Sequence, residues 1–358
     1  MNKKSIGIIT CIGKSNFGNR LQNYALQHVL EQKGFYVETL INTSLLNNVD
    51  NYEEALAEYE SYQAEKDKRD LLNKDRIAYF EEFDKLVNFK EGMITAINLP
   101  ETNYDYYCVG SDQIWNPYHG KLRDLDLLYC IDNNKRTSYA ASIGIDEIPD
   151  KFKEKTKKEL SKFKSISVRE HKAKELIEEL TGRNDIEVVL DPTMLLTSEE
   201  WDKVAKRPKQ LQTDRYILNY FLGKLSPERE AEINRFAKEH NCEVINILDK
   251  EGPFYNTGPS EFLYLEKNAY LICTDSFHSS VFALLYNRPF LIFNREDDQL
   301  SMNSRLDTLT RTFDLRDRFY NNIITEDMLN IDYDKVNKIL EIEREKSLDF
   351  IDRAYNLK

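Results

Sequence analysis

Two stretches of the sequence alternate short apolar runs with amphipathic segments, and this alternation limits the fold more than any other feature. In the first stretch, residues 4–11 and 35–41 are apolar runs around a segment of helical spacing over residues 21–30, which Gly34 ends. A strand, a helix and a second strand in this order form the repeating unit of doubly wound sheets, whose crossover connections are right-handed. The pattern therefore predicts an α/β protein with mostly parallel sheets.

The alternation continues through both halves of the chain. Because about 150 residues per domain is usual and 358 residues exceed one comfortable hydrophobic core, we expect two domains with a cleft. Further strands are predicted over residues 104–109, 137–142, 166–168 and 187–190 in the first half, and over 216–222, 243–247, 269–274 and 289–293 in the second. Helices are predicted over residues 151–164, 171–180 and 227–240, and another begins near Ser276.

Changes in composition predict the domain boundaries. An N-terminal domain is expected over residues 1–205, with a highly charged helical insertion over about 51–90 that we interpret as a solvated face. The polar stretch 206–214 is the expected linker to a C-terminal domain over residues 215–325. An amphipathic helix is predicted within residues 330–358, and its apolar side needs a surface to cover.

Composition also argues against several classes of partner. The formal net charge of -12 opposes nucleic acid, since phosphate backbones are bound through clustered Lys and Arg. The five cysteines have no C-x-x-C spacing and indicate reduced thiols in a reducing compartment. We find no secretion signal and no apolar run near the roughly 18 residues that cross a bilayer. A cytoplasmic protein without a transmembrane segment is the expectation.

Ligands of open parallel sheets bind beyond the carboxyl ends of the strands, and this rule selects two loops of the first half. Residues 10–22 open the first helix, where glycines and a helix N-terminus favour contact with an anion or a sugar hydroxyl. Residues 110–116 carry carboxylate, amide and indole groups that suit a polyhydroxylated ring. The candidate ligand residues of these loops are Asn19, Arg20, Gln22, Asp112, Gln113, Trp115 and Asn116.

Both loops also have purely structural interpretations. The first lacks the G-x-G-x-x-G pattern, which excludes NAD binding, and a plain turn accounts for it equally well. In the second, Trp115 packs into the core and Asp112 caps a helix. Arg169, at the end of a short strand, is either an ion-pair partner of Glu170 or an anion clamp.

In the second half, residues 274–280 connect a buried strand to a helix and place His278 in its first turn. A helix N-terminus disfavours the imidazolium unless an anion is present, so His278 can act as a base or, with an anionic ligand, as a donor. Arg305 could complete an anion pocket with it. The alternative for His278 is a hydrogen-bonded histidine with a structural role at a capped helix start. The alternative for Arg305 is a surface loop with local ion pairs. The histidines show no ligand spacing, and no metal site is expected.

A set of short motifs, taken in order along the chain, is similar to that of one known family. The motifs are Asn19 with Q-N-Y-A-L-Q at 22–27, G-S-D-Q-I-W at 110–115, S-Y-A-A-S-I-G at 138–144, S-V-R-E at 167–170, L-D-P-T at 190–193, D-S-F-H at 275–278 and S-R-L-D-T-L at 304–309. This set resembles the polysaccharide pyruvyltransferase family over about residues 4–310.

The resemblance implies two Rossmann-like domains that face a cleft, as in the glycosyltransferase-B fold, with the C-terminal helix crossing back to the first domain. It implies transfer of a pyruvyl group from phosphoenolpyruvate to a sugar diol as a ketal, in surface polysaccharide or cell-wall glycan biosynthesis. Phosphoenolpyruvate is then a co-substrate, and no separate cofactor is expected. The acceptor is a sugar or a nucleotide-linked or lipid-linked glycan. If it is lipid-linked, the protein is expected to contact the inner face of the membrane peripherally.

The resemblance also assigns roles to residues. Arg169 and His278 are the catalytic candidates, and Arg305 matches a later basic position loosely. Two guanidinium groups and the imidazole, from opposite domains, are expected to converge on phosphoenolpyruvate, while the first-domain loops hold the acceptor. The donor-binding candidates are Arg169, Ser276, His278, Ser279 and Arg305. A nucleotide-sugar-dependent glycosyltransferase of the same fold and a non-catalytic sugar-binding relative are the alternative functions.

Overall fold

A computed structural model describes residues 3–13, 16–41, 64–65, 68, 70–71, 73–92, 94, 98–118, 122–123, 125–295 and 304–357. The chain separates into two compact units, unit 1 with Met1–Leu195 and Glu343–Lys358 and unit 2 with Leu196–Ile342. The first part of unit 1 thus ends at Leu195 and not at the predicted residue 205. The reason is the short helix that follows, whose Trp201 packs edge to face on Phe282 of unit 2 at 5.2 Å.

Unit 1 is built on a parallel sheet. Its strands are β1 (Ser5–Ile9), β2 (Tyr36–Thr39), β3 (Tyr106–Val109), β4 (Arg136–Ala141), β5 (Ser165–Val168) and β6 (Glu187–Val188). Among the described residues their order is β2-β1-β3-β4-β5-β6. Strands β3 and β4 are buried along their whole length, as in sheets covered on both faces. The chain order reverses between β1 and β3, so the carboxyl ends of these two strands form the topological switch point.

Helices cover this sheet and continue the predicted alternation. They are α1 (Phe17–Gln32), α2 (Lys74–Asp84), α3 (Asp150–Leu160) and α4 (His171–Thr181). Helix α1 begins at Asn16, whose side chain accepts the Asn19 N–H, and α4 ends at Gly182, which has a left-handed φ of 74°. Helix α2 belongs to the predicted insertion, of which residues 51–63 lie outside the described residues.

Unit 2 repeats the architecture with a smaller sheet. Its helices are α5 (Ser198–Asp202), α6 (Pro227–Glu239), α7 (Pro259–Asn268), α8 (Phe277–Leu285) and α9 (Ser304–Thr312). The strands β7 (Tyr216–Tyr220), β8 (Glu243–Asn246), β9 (Leu271–Thr274) and β10 (Phe290–Ile292) are parallel and, in the described part of the chain, have the order β10-β9-β7-β8. Their switch point lies between β7 and β9, where Thr274 Oγ1 donates to the Tyr220 carbonyl at 2.6 Å.

Helix α7 is an element that was not predicted from the sequence. A start signal is present, because Gly258 precedes Pro259 at the first helical position. The helix buries Phe262, Leu263 and Leu265. These apolar residues lie in a helix of only 10 residues and follow no long helical period, so the sequence pattern does not distinguish the segment from a loop.

Helix α10 (Tyr333–Ala354) contributes residues 333–342 to unit 2 and its remainder to unit 1. The chain directly after it is anchored in unit 1, where the Tyr355 hydroxyl lies 3.0 Å from Thr137 Oγ1 and its ring lies 5.2 Å from that of Tyr106. Ser347, a polar residue on the apolar side of α10, accepts the backbone N–H of Leu190 at 3.0 Å. Neither α10 nor any other helix in the described ranges combines the length and apolarity needed to cross a membrane.

Candidate functional site

The switch point of unit 1 brings both predicted first-domain loops together. Gln22 joins them, because its Nε2 donates to Thr10 Oγ1 at 2.8 Å and its Oε1 accepts the Ser111 N–H at 3.0 Å. Gly110 has a φ of 121°, and a side chain there would place its Cβ 2.2 Å from the Tyr139 carbonyl oxygen. Only glycine therefore fits at the end of β3. Gln22 is fully buried, and its amide serves to connect the loops.

A buried ionic network lies directly behind these loops. Arg169 Nη2 donates to Asp112 Oδ1 at 3.0 Å, and its Nη1 donates to Asp191 Oδ2 at 2.6 Å. The other oxygen of Asp112 accepts from the side-chain amide of Asn19. Ser111 Oγ also donates to Asp191, at 3.1 Å. Loops that follow β1, β3, β5 and β6 are thereby held to one another.

This network corrects the expectation that Arg169 is an open anion clamp or the partner of Glu170. Its side chain is only 2% exposed, and the two carboxylates compensate its charge. Burial lowers the pKa of Arg169, but the charges of Asp112 and Asp191 outweigh it and raise that pKa above the ordinary value. Glu170 instead accepts from Ser142 Oγ and from the backbone N–H groups of Ile143 and Gly144.

Two further acceptor candidates, Trp115 and Arg20, are buried in the interior of unit 1. The Trp115 ring belongs to the hydrophobic core of unit 1, 5.8 Å from Phe163, and its Nε1 donates to the Asp126 carbonyl at 2.7 Å. The Trp115 ring is therefore not an aromatic platform beside the loop. Its position in the core removes more apolar surface from water than a position beside the loop would. The buried Arg20 forms an ion pair with Asp84 of α2, with 2.7 Å between Nε and Oδ1.

The remaining candidates lie at the edge of the switch point. Asn19 and Gln113 are half-buried, whereas Asp112 and Asn116 are buried. The Asn116 side chain accepts the Tyr118 N–H at 2.9 Å and donates to Gln113 Oε1 at 3.4 Å. Of the predicted acceptor residues, Asn19 and Gln113 are therefore the two that are not fully buried.

The switch point of unit 2 is organised by Asp275, which was not among the site residues predicted from the sequence. Its two carboxylate oxygens accept the backbone N–H groups of Leu222 at 2.7 Å and Gly223 at 2.8 Å. Arg295, which follows β10, contacts the same carboxylate with 3.1 Å between Nε and Oδ2. Asp275 therefore ties together the loops after β7, β9 and β10. The signal for it was its position directly after a buried strand.

His278 lies in the first turn of α8, three residues after Asp275. The helix is capped by Ser276, whose side chain accepts the Ser279 N–H. The His278 ring is 5.3 Å from that of Phe277, and the Arg305 guanidinium lies 5.9 Å from the centre of the Phe277 ring. Arg295 and Arg305 thus approach the short segment that carries His278, and both are half-buried.

The two serines predicted to bind the donor have structural roles in α8. Ser276 is its cap, and Ser279 Oγ donates to Glu266 Oε1 at 2.6 Å, where both residues are fully buried. Burial raises the pKa of Glu266 well above its ordinary value, and the hydrogen bond from Ser279 only partly opposes this. The Ser279 side chain therefore faces α7 and its buried carboxyl group.

The fold of this chain is similar to that of a solved protein that aligns over nearly the whole chain. The chain is similar to a candidate UDP-N-acetylglucosamine 2-epimerase of Listeria monocytogenes, with a TM-score of 0.50 and 11% identity over 99% of this chain and 90% of that one. It is also similar to the UDP-GlcNAc 2-epimerase of Methanocaldococcus jannaschii (TM-score 0.47, 15% identity, 96% and 93% covered) and to the ADP-heptose LPS heptosyltransferase II of E. coli (0.39, 12%, 96% and 99%). No curated protein matches the chain.

Parallel sheets with a switch point in each unit define an α/β protein of two Rossmann-like domains. This confirms the α/β class with two Rossmann-like domains that was predicted from the sequence. Within that class, the family model for polysaccharide pyruvyl transferases matches residues 16–297. The chain therefore belongs to the polysaccharide pyruvyl transferase family, and the predicted resemblance is confirmed.

Proposed function

We propose that this transferase moves a pyruvyl group from phosphoenolpyruvate to two hydroxyl groups of one sugar, as a ketal. The observation that carries the proposal is the position of Arg295 and Arg305 against the segment Asp275 to His278 at the start of α8. Phosphoenolpyruvate carries a carboxylate and a phosphate. Guanidinium groups and a helix N-terminus are the groups that proteins use to bind such anions.

The proposed reaction balances without a further co-reactant. A proton adds to the methylene carbon of phosphoenolpyruvate and leaves cationic character on the neighbouring carbon. Two sugar oxygens bond to that carbon, and its bond to the phosphate oxygen breaks. Of the two hydroxyl protons, one balances the proton gained by the new methyl group and the other leaves with phosphate. We assign proton transfer at the donor to His278, because an imidazole nitrogen can donate or accept a proton.

Unit 1 holds the acceptor in this proposal. Asn19 and Gln113 offer amide groups at the edge of its switch point, and Asp112 lies beside them. Amide and carboxylate groups are suited to sugar hydroxyls. The acceptor is then a sugar or a nucleotide-linked or lipid-linked glycan of surface polysaccharide or cell-wall synthesis. We place the reaction in the cytoplasm, with peripheral membrane contact when the acceptor is lipid-linked.

The test supplies phosphoenolpyruvate together with a panel of p-nitrophenyl hexosides, nucleotide-linked sugars and lipid-linked glycans. Phosphate release is followed in parallel with the mass of each acceptor. We expect phosphate release only with an acceptor that gains one pyruvyl ketal, and loss of both signals in His278→Ala.

Two other results would replace the proposal with a different function. Transfer from a sugar nucleotide, with no response to phosphoenolpyruvate, identifies a glycosyltransferase. Acceptor binding without turnover under any donor identifies a sugar-binding protein, and in that case His278→Ala leaves binding intact.

A further inference from the structure

The inserted helix α2 packs directly on the first helix of unit 1. The Phe17 ring of α1 stacks on Phe80 of α2 at 5.5 Å between centroids, with 15° between the planes. One face of α1 continues this contact, since Tyr24 meets Phe83 at 5.6 Å. Arg76 of α2 lies over the Phe17 ring at 4.7 Å. The apolar side of α2 is therefore joined to α1, while Glu81, Glu82 and Lys85 are exposed, in keeping with a solvated charged face.

Arg20 connects this helix to the loop after β1. Its guanidinium pairs with Asp84, the last residue of α2, and its Nη2 donates to the Ile12 carbonyl at 3.2 Å. The same group lies 5.1 Å from the centre of the Phe89 ring. The side chain is 1% exposed, and burial lowers the pKa of Arg20 against the opposing effect of Asp84. A buried guanidinium of this kind depends on its carboxylate partner.

The loop held in this way leads to the proposed acceptor residues. Gly13 follows Ile12, and an ideal Cβ at Gly13 would lie 3.2 Å from Asn19 Oδ1. The Asn19 side chain in turn donates to the Asp112 carboxylate. Contacts therefore run from Asp84 through Arg20 and the Ile12 carbonyl to Asn19. A displacement of the loop at Ile12 moves the backbone beside Asn19.

We propose that Arg20, held by Asp84, is a positioning residue for the acceptor, so that the inserted helix takes part in acceptor selection. This inference rests on the proposed function in taking the acceptor to be a sugar bound at Asn19. Arg20 is buried and acts through the loop rather than by contact with the sugar. Because catalysis and binding are sensitive to shifts of about 1 Å, a small change in this loop is enough to alter acceptor affinity.

The first experiment measures the coupling without any substrate. In the full-length protein, Asp84→Asn removes the charge but keeps the shape of the side chain, and Glu82→Gln removes an exposed ion pair with Lys85 on the same helix. We expect amide hydrogen exchange in peptides covering residues 10–22 to become about ten-fold faster in Asp84→Asn and to stay unchanged in Glu82→Gln. Equal exchange in the two variants overturns the inference.

The second experiment measures binding and kinetics separately. With a p-nitrophenyl hexoside that the wild type binds, we expect Asp84→Asn to raise Kd and KM for the hexoside about ten-fold, while KM for phosphoenolpyruvate changes by less than about two-fold. Asp84→Glu, which keeps the carboxylate, should restore most of the affinity. An equal rise in both KM values overturns the role in acceptor selection. The contact between Arg20 and Asp84 would then have only a structural role.

Failure of this inference is distinguishable from failure of the proposed function. If no phosphoenolpyruvate-dependent transfer occurs, the proposed function is wrong, yet hexoside binding and hydrogen exchange still decide the role of Arg20. If the wild type binds no hexoside and no glycan of the panel, the acceptor role is overturned whatever the exchange rates show.

Discussion

Arg169 Nη1 lies 2.6 Å from Asp191 Oδ2, and both side chains are buried in unit 1. The family resemblance implied that Arg169 binds the donor. Its contacts with Asp191 and Asp112 show instead that the guanidinium joins the loops after β3, β5 and β6. Within unit 2, the half-buried Arg295 and Arg305 lie against the segment that carries His278. These two arginines are the better candidates for donor recognition.

Replacing Arg169 by Met is expected to destabilise the protein. The change leaves Asp112 and Asp191 buried without their cation, so we expect the free energy of unfolding to fall by about 3–5 kcal/mol in chemical denaturation. As a control, Arg353→Met removes an exposed ion pair with Glu187 and should cost at most about 1 kcal/mol. A stable Arg169→Met protein with only a raised KM for phosphoenolpyruvate would restore the clamp interpretation.

His278→Ala is expected to lower kcat for phosphoenolpyruvate-dependent transfer by about 10²–10⁴-fold, the usual contribution of a general acid or base. His171→Ala is the matched control, because His171 is an exposed residue in the first turn of α4. Both variants should be compared in kcat and in thermal midpoint. Equal activity of the two at equal stability would remove His278 from the reaction.

Arg305→Ala is expected to raise KM for phosphoenolpyruvate about 10-fold to 100-fold, the effect of losing a charge-assisted hydrogen bond to an anion. Arg311, on the same helix α9, pairs with Asp307 and is 56% exposed, so Arg311→Ala should leave this KM unchanged. Initial rates at varied phosphoenolpyruvate measure the difference. An unchanged KM in Arg305→Ala contradicts its place in the donor site.

Glu266→Gln is expected to stabilise the protein at neutral pH. Burial raises the pKa of Glu266 in the folded state, so between its ordinary value near 4.5 and that raised value the folded state binds more protons than the unfolded state. The free energy of unfolding of the wild type therefore falls as pH rises in this window. Gln avoids this loss, and its carbonyl can still accept from Ser279.

Chemical denaturation from about pH 4 to about pH 8 tests this prediction. The advantage of Glu266→Gln should be small near pH 4 and should grow with pH. Glu243→Gln, at an exposed position on β8, should run parallel to the wild type. A Glu266→Gln curve that is also parallel to the wild type contradicts the raised pKa.

Local patterns were enough to predict which loops lie at the switch points of the two sheets. The apolar run of β1, its glycine-containing loop and the helical period of α1 identify a strand, a switch-point loop and a helix because each depends on neighbours a few residues away. The same holds for β9 and the start of α8 around His278. The ordered motifs then indicated the family. Elements without a long period, such as α7, were not predicted.

Thus the sequence by itself determined the α/β class, the two units' alternating elements and the family of this protein. Tertiary structure alone decided what the charged and aromatic side chains do: Arg169 meets Asp191, Arg20 meets Asp84, and Trp115 enters the core. The physical reason is that the free energy of a buried charge or ring depends on the groups that fold around it. Those groups come from distant parts of the chain, and their identity is not contained in the spacing of neighbouring residues.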